Sequence, residues 1–162
     1  IYFLLSGKII SMRTILVVSN SLWNIENFRK NLILKILDSQ YKVIIIAPFE
    51  KSYKILLSHR NLQIINLNFK SKSYFNLKDF IFVYKLFKII KYYNPEYVLS
   101  FTVKPNLFCS FLSKLINFKC ISNITGLGTL FLRGYFIKRI AILLYKYCLK
   151  NSYHTFFHNA ND

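Results

Sequence analysis

Short apolar runs rich in branched side chains alternate with longer stretches in which apolar residues recur at helical spacing. The runs Ile15–Val18 and Val43–Ile46 contain no polar residue, which is typical of strands buried on both faces of a parallel sheet. Further strands are predicted at 62–67, 97–101, 119–124 and 155–157. Helical periodicity predicts helices at 26–39, 50–59, 75–93, 105–116 and 134–150. Asn24 is the predicted cap of the first helix.

The regular alternation of strand and helix predicts an α/β fold. We expect a Rossmann-like, doubly wound, mostly parallel sheet of about six strands, with helices on both faces and the first strand central. Because Met12 precedes the first convincing strand, residues 1–11 are interpreted as an N-terminal extension and residues 12–162 as one domain.

Composition narrows the class of protein. Hydrophobic residues make up 54% of the 162 residues, which excludes a disordered chain, and no uncharged apolar run is long enough to span a membrane. The formal net charge of +17 favours anionic partners, although the abundance of Lys, Asn, Ile, Phe and Tyr is also typical of an AT-rich coding sequence. The three cysteines lack metal-site spacing and are interpreted as small buried side chains in a reducing compartment.

Candidate chemistry lies just beyond the predicted strands, where ligands bind in open parallel sheets. Neither the Gly-x-Gly-x-x-Gly dinucleotide fingerprint nor a phosphate-cradling P-loop motif is present, which argues against nicotinamide and flavin enzymes. The candidate substrate-binding residues follow the first, fourth and fifth strands of the predicted sheet: Asn24, Arg29, Lys104, Asn106, Thr125, Gly126 and Gly128. No catalytic residue and no metal site is assigned.

Each of these residues has a functional and a structural interpretation. Lys104 would bind a phosphate group as a point charge, and Arg29 would support a diphosphate at the start of the first helix. The candidate residues are expected to cluster around one concave pocket, with Lys104 and Thr125 on its wall. Gly126 would let a ligand approach the backbone closely. Alternatively, the glycines only form a turn, Arg29 is solvated beside a helix cap, and Lys104 is a surface residue before a helix.

Three motifs carry a family resemblance when they are taken in order: Ser21–Arg29, Phe101–Asn106 and Asn123–Thr129. Together they resemble the N-terminal, acceptor-side domain of family 4 glycosyltransferases of the GT-B architecture. The closest subgroup is that of bacterial hexosyl- and N-acetylhexosaminyltransferases of polysaccharide, lipopolysaccharide and lipid-linked glycan assembly. The resemblance covers Met12 to Asp162.

The resemblance implies a retaining sugar transfer from a nucleotide-sugar to a lipid-linked or polysaccharide acceptor, without a metal or other cofactor. It implies that this domain holds the acceptor, whereas a C-terminal domain absent from this chain binds the donor. Lys104 would then face the charge of a lipid diphosphate or phosphosugar, and Asn24, Asn106 and Thr125 would contact sugar hydroxyls. The chain is therefore expected to be a truncated form that is inactive alone. A cytoplasmic location is implied, with peripheral attachment at the inner face of the membrane as an option. Thr125 stands where many relatives carry a histidine, so no catalytic role is carried over to it.

Two alternatives stay open. The chain could be the non-catalytic, membrane-docking subunit of a split glycosyltransferase, because the helices predicted at 75–93 and 134–150 are basic and aromatic. Lys85 and Lys88 would then contact anionic lipid while Phe80, Phe82 and Phe87 insert, unless these aromatic residues belong to the core. A nucleic-acid-binding module fits the charge, but no nucleic-acid motif is present and that partner is not expected.

Overall fold

The computed structural model of the chain describes residues 3–5, 8–10, 12–49, 59–68, 77–124 and 135–158. Two short strands, β1 (Phe3–Leu5) and β2 (Lys8–Ile10), form a separate antiparallel pair within the predicted extension. The helix predicted at 50–59 lies almost wholly outside the described residues.

The main sheet begins with β3 (Thr14–Val18). The elements that follow are α1 (Leu22–Phe28), α2 (Lys30–Asp38), β4 (Lys42–Ala47), β5 (Leu62–Asn66), α3 (Leu77–Tyr93), β6 (Tyr97–Phe101), α4 (Val103–Ile116), β7 (Lys119–Ile124), α5 (Tyr135–Leu149) and β8 (His154–Phe157).

The six strands pair in the order β5-β4-β3-β6-β7-β8, and every pairing between them is parallel. The first strand of the sheet, β3, lies between β4 and β6 in the interior. The Rossmann-like fold class, the strand number and the central first strand are therefore confirmed. Parallel pairing needs a crossover between successive strands, and helices supply four of them: α1 with α2, then α3, α4 and α5. The connection from β4 to β5 lies mostly outside the described residues.

Successive residues of the central strands point to opposite faces of the sheet, and each face has its own core. Leu16, Ile44 and Val98 pack with α3 and α4 on one face. Val17 and Ile45 pack with α1 and α2 on the other face. A third, smaller cluster joins α4, the end of β7 and α5. The two-sided core explains why strands β3 and β4 read as continuous apolar runs rather than as an alternating pattern.

The first helix differs from its prediction at both its start and its middle. It begins at Leu22 rather than near residue 26, and Arg29 separates α1 from α2. Hydrogen bonds continue across the break, from the Arg29 N–H to the Ile25 carbonyl at 2.8 Å and from the Ile33 N–H to the Arg29 carbonyl at 2.9 Å. The predicted single helix is therefore a helix with a local distortion at Arg29.

Candidate functional site

The strand order reverses between β3 and β6, and this point defines the candidate site. From β3 the chain moves outward through β4 to β5, and α3 then brings it back to β6 on the other side of β3. The loops that leave β3 and β6 diverge at their carboxyl ends, because α1 and α4 pack on opposite faces of the sheet. A crevice opens at such a switch point, and it is where open α/β sheets bind ligands.

The loop after β3 is fixed by Ser21, which caps α1. Ser21 has extended backbone angles, and its hydroxyl accepts a hydrogen bond from the Asn24 backbone N–H at 3.1 Å. The expectation that Asn24 caps this helix is therefore wrong, because Asn24 already lies inside the first turn. The Asn24 side chain makes no capping bond, and its Oδ1 atom is buried without a hydrogen-bond partner in the described part of the chain.

Arg29 reaches the switch point from the distortion between α1 and α2. Its guanidinium carbon lies 4.8 Å from the centre of the Phe101 ring, at the carboxyl end of β6, in cation–π geometry. One of its terminal nitrogens donates to the Phe28 carbonyl, whereas Nε is buried without a hydrogen-bond partner among the described residues. Partial burial lowers the pKa of Arg29 through desolvation of the charged form. Arg29 is thus held by packing at the place that the sequence predicted.

Thr102, between β6 and α4, has an unusual backbone conformation that sequence analysis did not single out. Its φ of 73° and ψ of 164° fall in a region that is favourable only for glycine. It occupies the N-cap position of α4 but makes no side-chain capping bond, and its Oγ1 atom is buried without a partner within the described ranges. The sequence signal was weak: a threonine directly after a strand, next to the predicted Lys104.

Asn106 connects the ends of the neighbouring strands. Its side chain is fully buried, and its Nδ2 atom donates to the Asn123 carbonyl at 2.9 Å. The Asn123 amide in turn donates to the Ser100 carbonyl at 3.4 Å. Because Asn123 lies one residue before the end of β7, Asn106 ties α4 to the carboxyl end of that strand. The Asn106 Oδ1 atom is buried without a partner in the described residues.

Lys104 is placed differently from the prediction. Only 4% of its side chain is exposed, and its Nζ lies 3.0 and 2.9 Å from the two carboxylate oxygens of Asp79 in the first turn of α3. The expectation that Lys104 presents exposed charge to a diphosphate is therefore wrong, because its charge is already compensated. Asp79 was missed: the signal was a carboxylate near the start of the helix predicted at 75–93, in a chain with 6 acidic residues.

The predicted residues are not brought together as one lining. Asn24 and Arg29 lie with α1 and α2 on one face of the sheet, whereas Lys104 and Asn106 lie in α4 on the other. The expectation that the candidate residues cluster around one concave pocket is therefore not met for Lys104 and Asn24, which lie on opposite faces of the sheet. Thr125, Gly126 and Gly128 lie outside the described residues, directly after β7. Acceptor binding by these residues stays a prediction.

Other possible sites lie elsewhere or are not found. An open cavity of about 670 Å³ lies at the opposite edge of the sheet, between the carboxyl ends of α3 and α4. Over the described ranges, no group of three or more His, Cys, Asp or Glu side chains is arranged to hold a metal ion. Within the same ranges, no helix combines the length and hydrophobicity needed to cross a membrane.

Cys109 and Cys120 are buried free thiols, as expected, and burial raises the pKa of each.

Together these features define a Rossmann-like α/β domain with polar side chains at its switch point. The chain belongs to the glycosyl transferase 4-like family, whose profile matches residues 15–159. The recognition of a family 4 glycosyltransferase domain from the sequence is thereby confirmed. Comparison with curated protein sequences gives no match.

Solved structures share the fold at low sequence identity. MurG from Acinetobacter baumannii has a TM-score of 0.63 and 9% identity, over 92% of this chain and 41% of MurG. A sucrose-phosphate synthase chain from Thermosynechococcus elongatus has a TM-score of 0.65 and 10% identity, over 92% of this chain and 78% of that one. The UDP-GlcNAc 2-epimerase from Methanocaldococcus jannaschii has a TM-score of 0.53 and 10% identity, over 91% of this chain and 40% of the epimerase.

These similarities show a common fold, and this chain spans less than half the length of MurG and of the epimerase. The GT-B type of Rossmann-like domain that the resemblance implied is thus the one observed.

Proposed function

We propose that this chain is the acceptor-side half of a GT-B glycosyltransferase. The complete enzyme would transfer a hexose or N-acetylhexosamine, with retention, from a nucleotide-sugar to a lipid-linked or polysaccharide acceptor at the cytoplasmic side of the membrane. It would use neither a metal nor another cofactor. The single observation that carries the proposal is the family match over 15–159, which includes all three motifs at the ends of β3, β6 and β7.

Each residue near the switch point has a separate role in binding the acceptor. Arg29, stacked on Phe101, offers a rigid and permanently charged donor. Asn24 contributes a buried amide oxygen that needs a donor. Asn106 anchors the end of β7, and Gly126 and Gly128, which follow in the sequence, would allow close approach of the acceptor to the backbone. Lys104 takes a supporting role, because its ion pair with Asp79 ties α4 to α3 below the crevice.

The activity test uses the purified 162-residue chain. UDP-N-acetylglucosamine or UDP-glucose is supplied as donor, with farnesyl diphosphate-linked sugars as acceptors. We expect no sugar transfer by the chain alone, because the donor half is needed, but we expect the acceptors to bind. Trp23 is the only tryptophan, is half-exposed and neighbours Asn24, so its fluorescence reports on binding at the site.

The variant Arg29→Met removes the guanidinium while keeping an unbranched side chain over Phe101. We expect it to weaken acceptor binding roughly tenfold, as for a hydrogen bond to a charged group. The matched control is Arg13→Met, at the opposite end of β3. Turnover by the chain without a partner, or stronger binding of the nucleotide-sugar than of any acceptor, would contradict the proposal.

A second candidate function, the membrane-docking subunit of a split glycosyltransferase, is supported by the outer face of α3. Large side chains on this face are exposed to solvent: Leu77, Phe80, Ile81 and Tyr84. Lys85 and Lys88 are exposed beside them, and the Lys88 Nζ lies 4.6 Å from the centre of the Tyr84 ring. Of the three phenylalanines expected to insert, only Phe80 points outward: Phe82 is buried in the core and Phe87 packs against it.

Vesicle sedimentation tests this surface. We expect the chain to bind vesicles of phosphatidylcholine with phosphatidylglycerol, and to bind pure phosphatidylcholine only weakly. The double variant Lys85→Gln/Lys88→Gln should lower binding to the anionic vesicles roughly tenfold or more, since each lysine near such a surface contributes about 1 kcal/mol. The control Lys30→Gln/Lys35→Gln removes the same charge from α2 on the opposite face. Equal losses from both double variants would argue against a defined docking face.

A further inference from the structure

Thr102 combines three unfavourable features at one position. A branched residue with φ of 73° and ψ of 164° is strained, because only glycine adopts this region without a steric penalty. At the N-cap of α4, where a threonine hydroxyl normally bonds a free backbone N–H, this hydroxyl makes no such bond. Its Oγ1 atom is buried without a hydrogen-bond partner among the described residues. Glycine would remove all three penalties.

The backbone around Thr102 is held in place from several sides. Its carbonyl accepts the Asn106 N–H at 3.0 Å, in the first turn of α4. The preceding residue, Phe101, is buried and carries the Arg29 guanidinium on its ring. The Lys104–Asp79 ion pair fixes the same first turn of α4 to α3. Surroundings that over-determine a strained residue are what allow such strain to persist at binding sites.

The unpartnered atoms at the switch point indicate what kind of ligand would complete them. The Asn106 amide has its orientation defined by the bond from Nδ2 to Asn123, so its free atom is the acceptor Oδ1. The Thr102 hydroxyl can both donate and accept. A phosphate supplies acceptors alone, whereas the hydroxyl groups of a sugar supply donors and acceptors together. The unpartnered hydrogen-bonding atoms of Asn106 and Thr102 therefore match the hydroxyl groups of a sugar better than a diphosphate.

We propose that the Thr102 hydroxyl binds a hydroxyl group of the acceptor sugar, and that its strained backbone holds the hydroxyl toward the crevice instead of toward the end of α4. This inference rests on the proposed function and assigns a binding residue within it. Two groups of residues then bind two portions of the acceptor. Thr102 and Asn106 contact the sugar, and Arg29 contacts the anionic group to which the sugar is attached.

Three substitutions separate the hydroxyl from the strain. Thr102→Val keeps the branched shape and removes the hydroxyl, Thr102→Ser keeps the hydroxyl, and Thr102→Gly removes both. The ligands are farnesyl diphosphate carrying N-acetylglucosamine, N-acetylgalactosamine, glucose or galactose, and farnesyl diphosphate without a sugar. Binding is read from the fluorescence of Trp23, and stability from thermal unfolding without ligand.

We expect Thr102→Val to bind the best sugar-bearing ligand roughly tenfold more weakly and to bind farnesyl diphosphate unchanged, because only the sugar contact is lost. Thr102→Ser should keep most of the affinity for the sugar. Neither Thr102→Val nor Thr102→Gly should lower the melting temperature, and Thr102→Gly should raise it, because relieving strain at positive φ favours the folded state.

Two results would overturn the assignment of Thr102. One is unchanged binding of the sugar-bearing ligand by Thr102→Val. The other is a clear drop in the melting temperature of both Thr102→Val and Thr102→Gly, which would make the hydroxyl a structural group. If the unaltered chain binds none of the sugar-bearing ligands, the proposed function itself is wrong, and this outcome is distinct from a failure that is confined to the Thr102 variants.

Discussion

Lys104 was singled out from the sequence as a ligand-binding residue, but the structure places it in a buried ion pair with Asp79. Both side chains are only 4% exposed, and the ammonium lies against both carboxylate oxygens. Removing two charges from water costs so much that such a pair roughly balances its own desolvation. Its main effect is therefore to fix α4 relative to α3, and breaking it should be costly.

We expect Lys104→Met to lower the free energy of unfolding by about 3–5 kcal/mol, because it removes the ammonium that faces the buried Asp79 carboxylate. The double variant Asp79→Leu/Lys104→Met should recover most of this loss, since it removes both charges of the pair. Urea unfolding measures both. The surface pair of Arg13 and Glu96, 3.4 Å apart, provides the matched control.

Breaking that exposed pair with Arg13→Met should cost only about 0–1 kcal/mol. A Lys104→Met variant that is no less stable than Arg13→Met would show that Lys104 is accessible to water. Its availability to an acceptor would then have to be reconsidered.

At the scale of elements, the segment from Ser21 to Asp38 decides how the first motif is presented. The Ser21 cap starts α1 four residues earlier than the amphipathic pattern predicts, since capping depends on one hydroxyl and not on periodicity. The distortion at Arg29 then sends its side chain onto Phe101. An uninterrupted helix starting near residue 26 would have left Asn24 outside the helix and Arg29 in its first turn.

Substitution of Ser21 tests this account. Ser21→Ala should lower the free energy of unfolding by about 1 kcal/mol, the usual cost of losing an N-cap, while Ser21→Asp should retain most of the stability. Asn24→Ala is the control, because the Asn24 side chain makes no capping bond. Urea unfolding of the three variants is the measurement. A larger loss for Asn24→Ala than for Ser21→Ala would restore Asn24 as the cap.

At the scale of the whole molecule, a net charge of +17 is the most conspicuous property, yet it does not define the site. Much of the charge lies on exposed lysines such as Lys85 and Lys88, whereas Lys104 is neutralised internally and Arg29 is partly buried. A diffuse positive field favours approach to anionic surfaces and is screened by salt over about 10 Å. Under the proposed function, selective recognition of the acceptor therefore depends on the few polar groups at the switch point.

The chain order of the six sheet strands and of the described helices between them, the parallel sheet, its central first strand and the family were determined by the sequence alone. The physical reason is that the strand signal is local: a run such as Val43–Ile46 must be buried on both faces, and a parallel sheet is the common way to bury it. The positions of the three motifs followed from that order, because each lies at or near the carboxyl end of a strand.

Only the tertiary structure decided what the individual residues do. Lys104 meets Asp79 from 25 positions away, Asn106 meets Asn123 from 17, and Arg29 lies over Phe101 from another element. Such partners are set by how helices pack across a sheet, and no local pattern encodes that distance. The conformation of Thr102 is likewise imposed by its surroundings, since its own chemistry disfavours it.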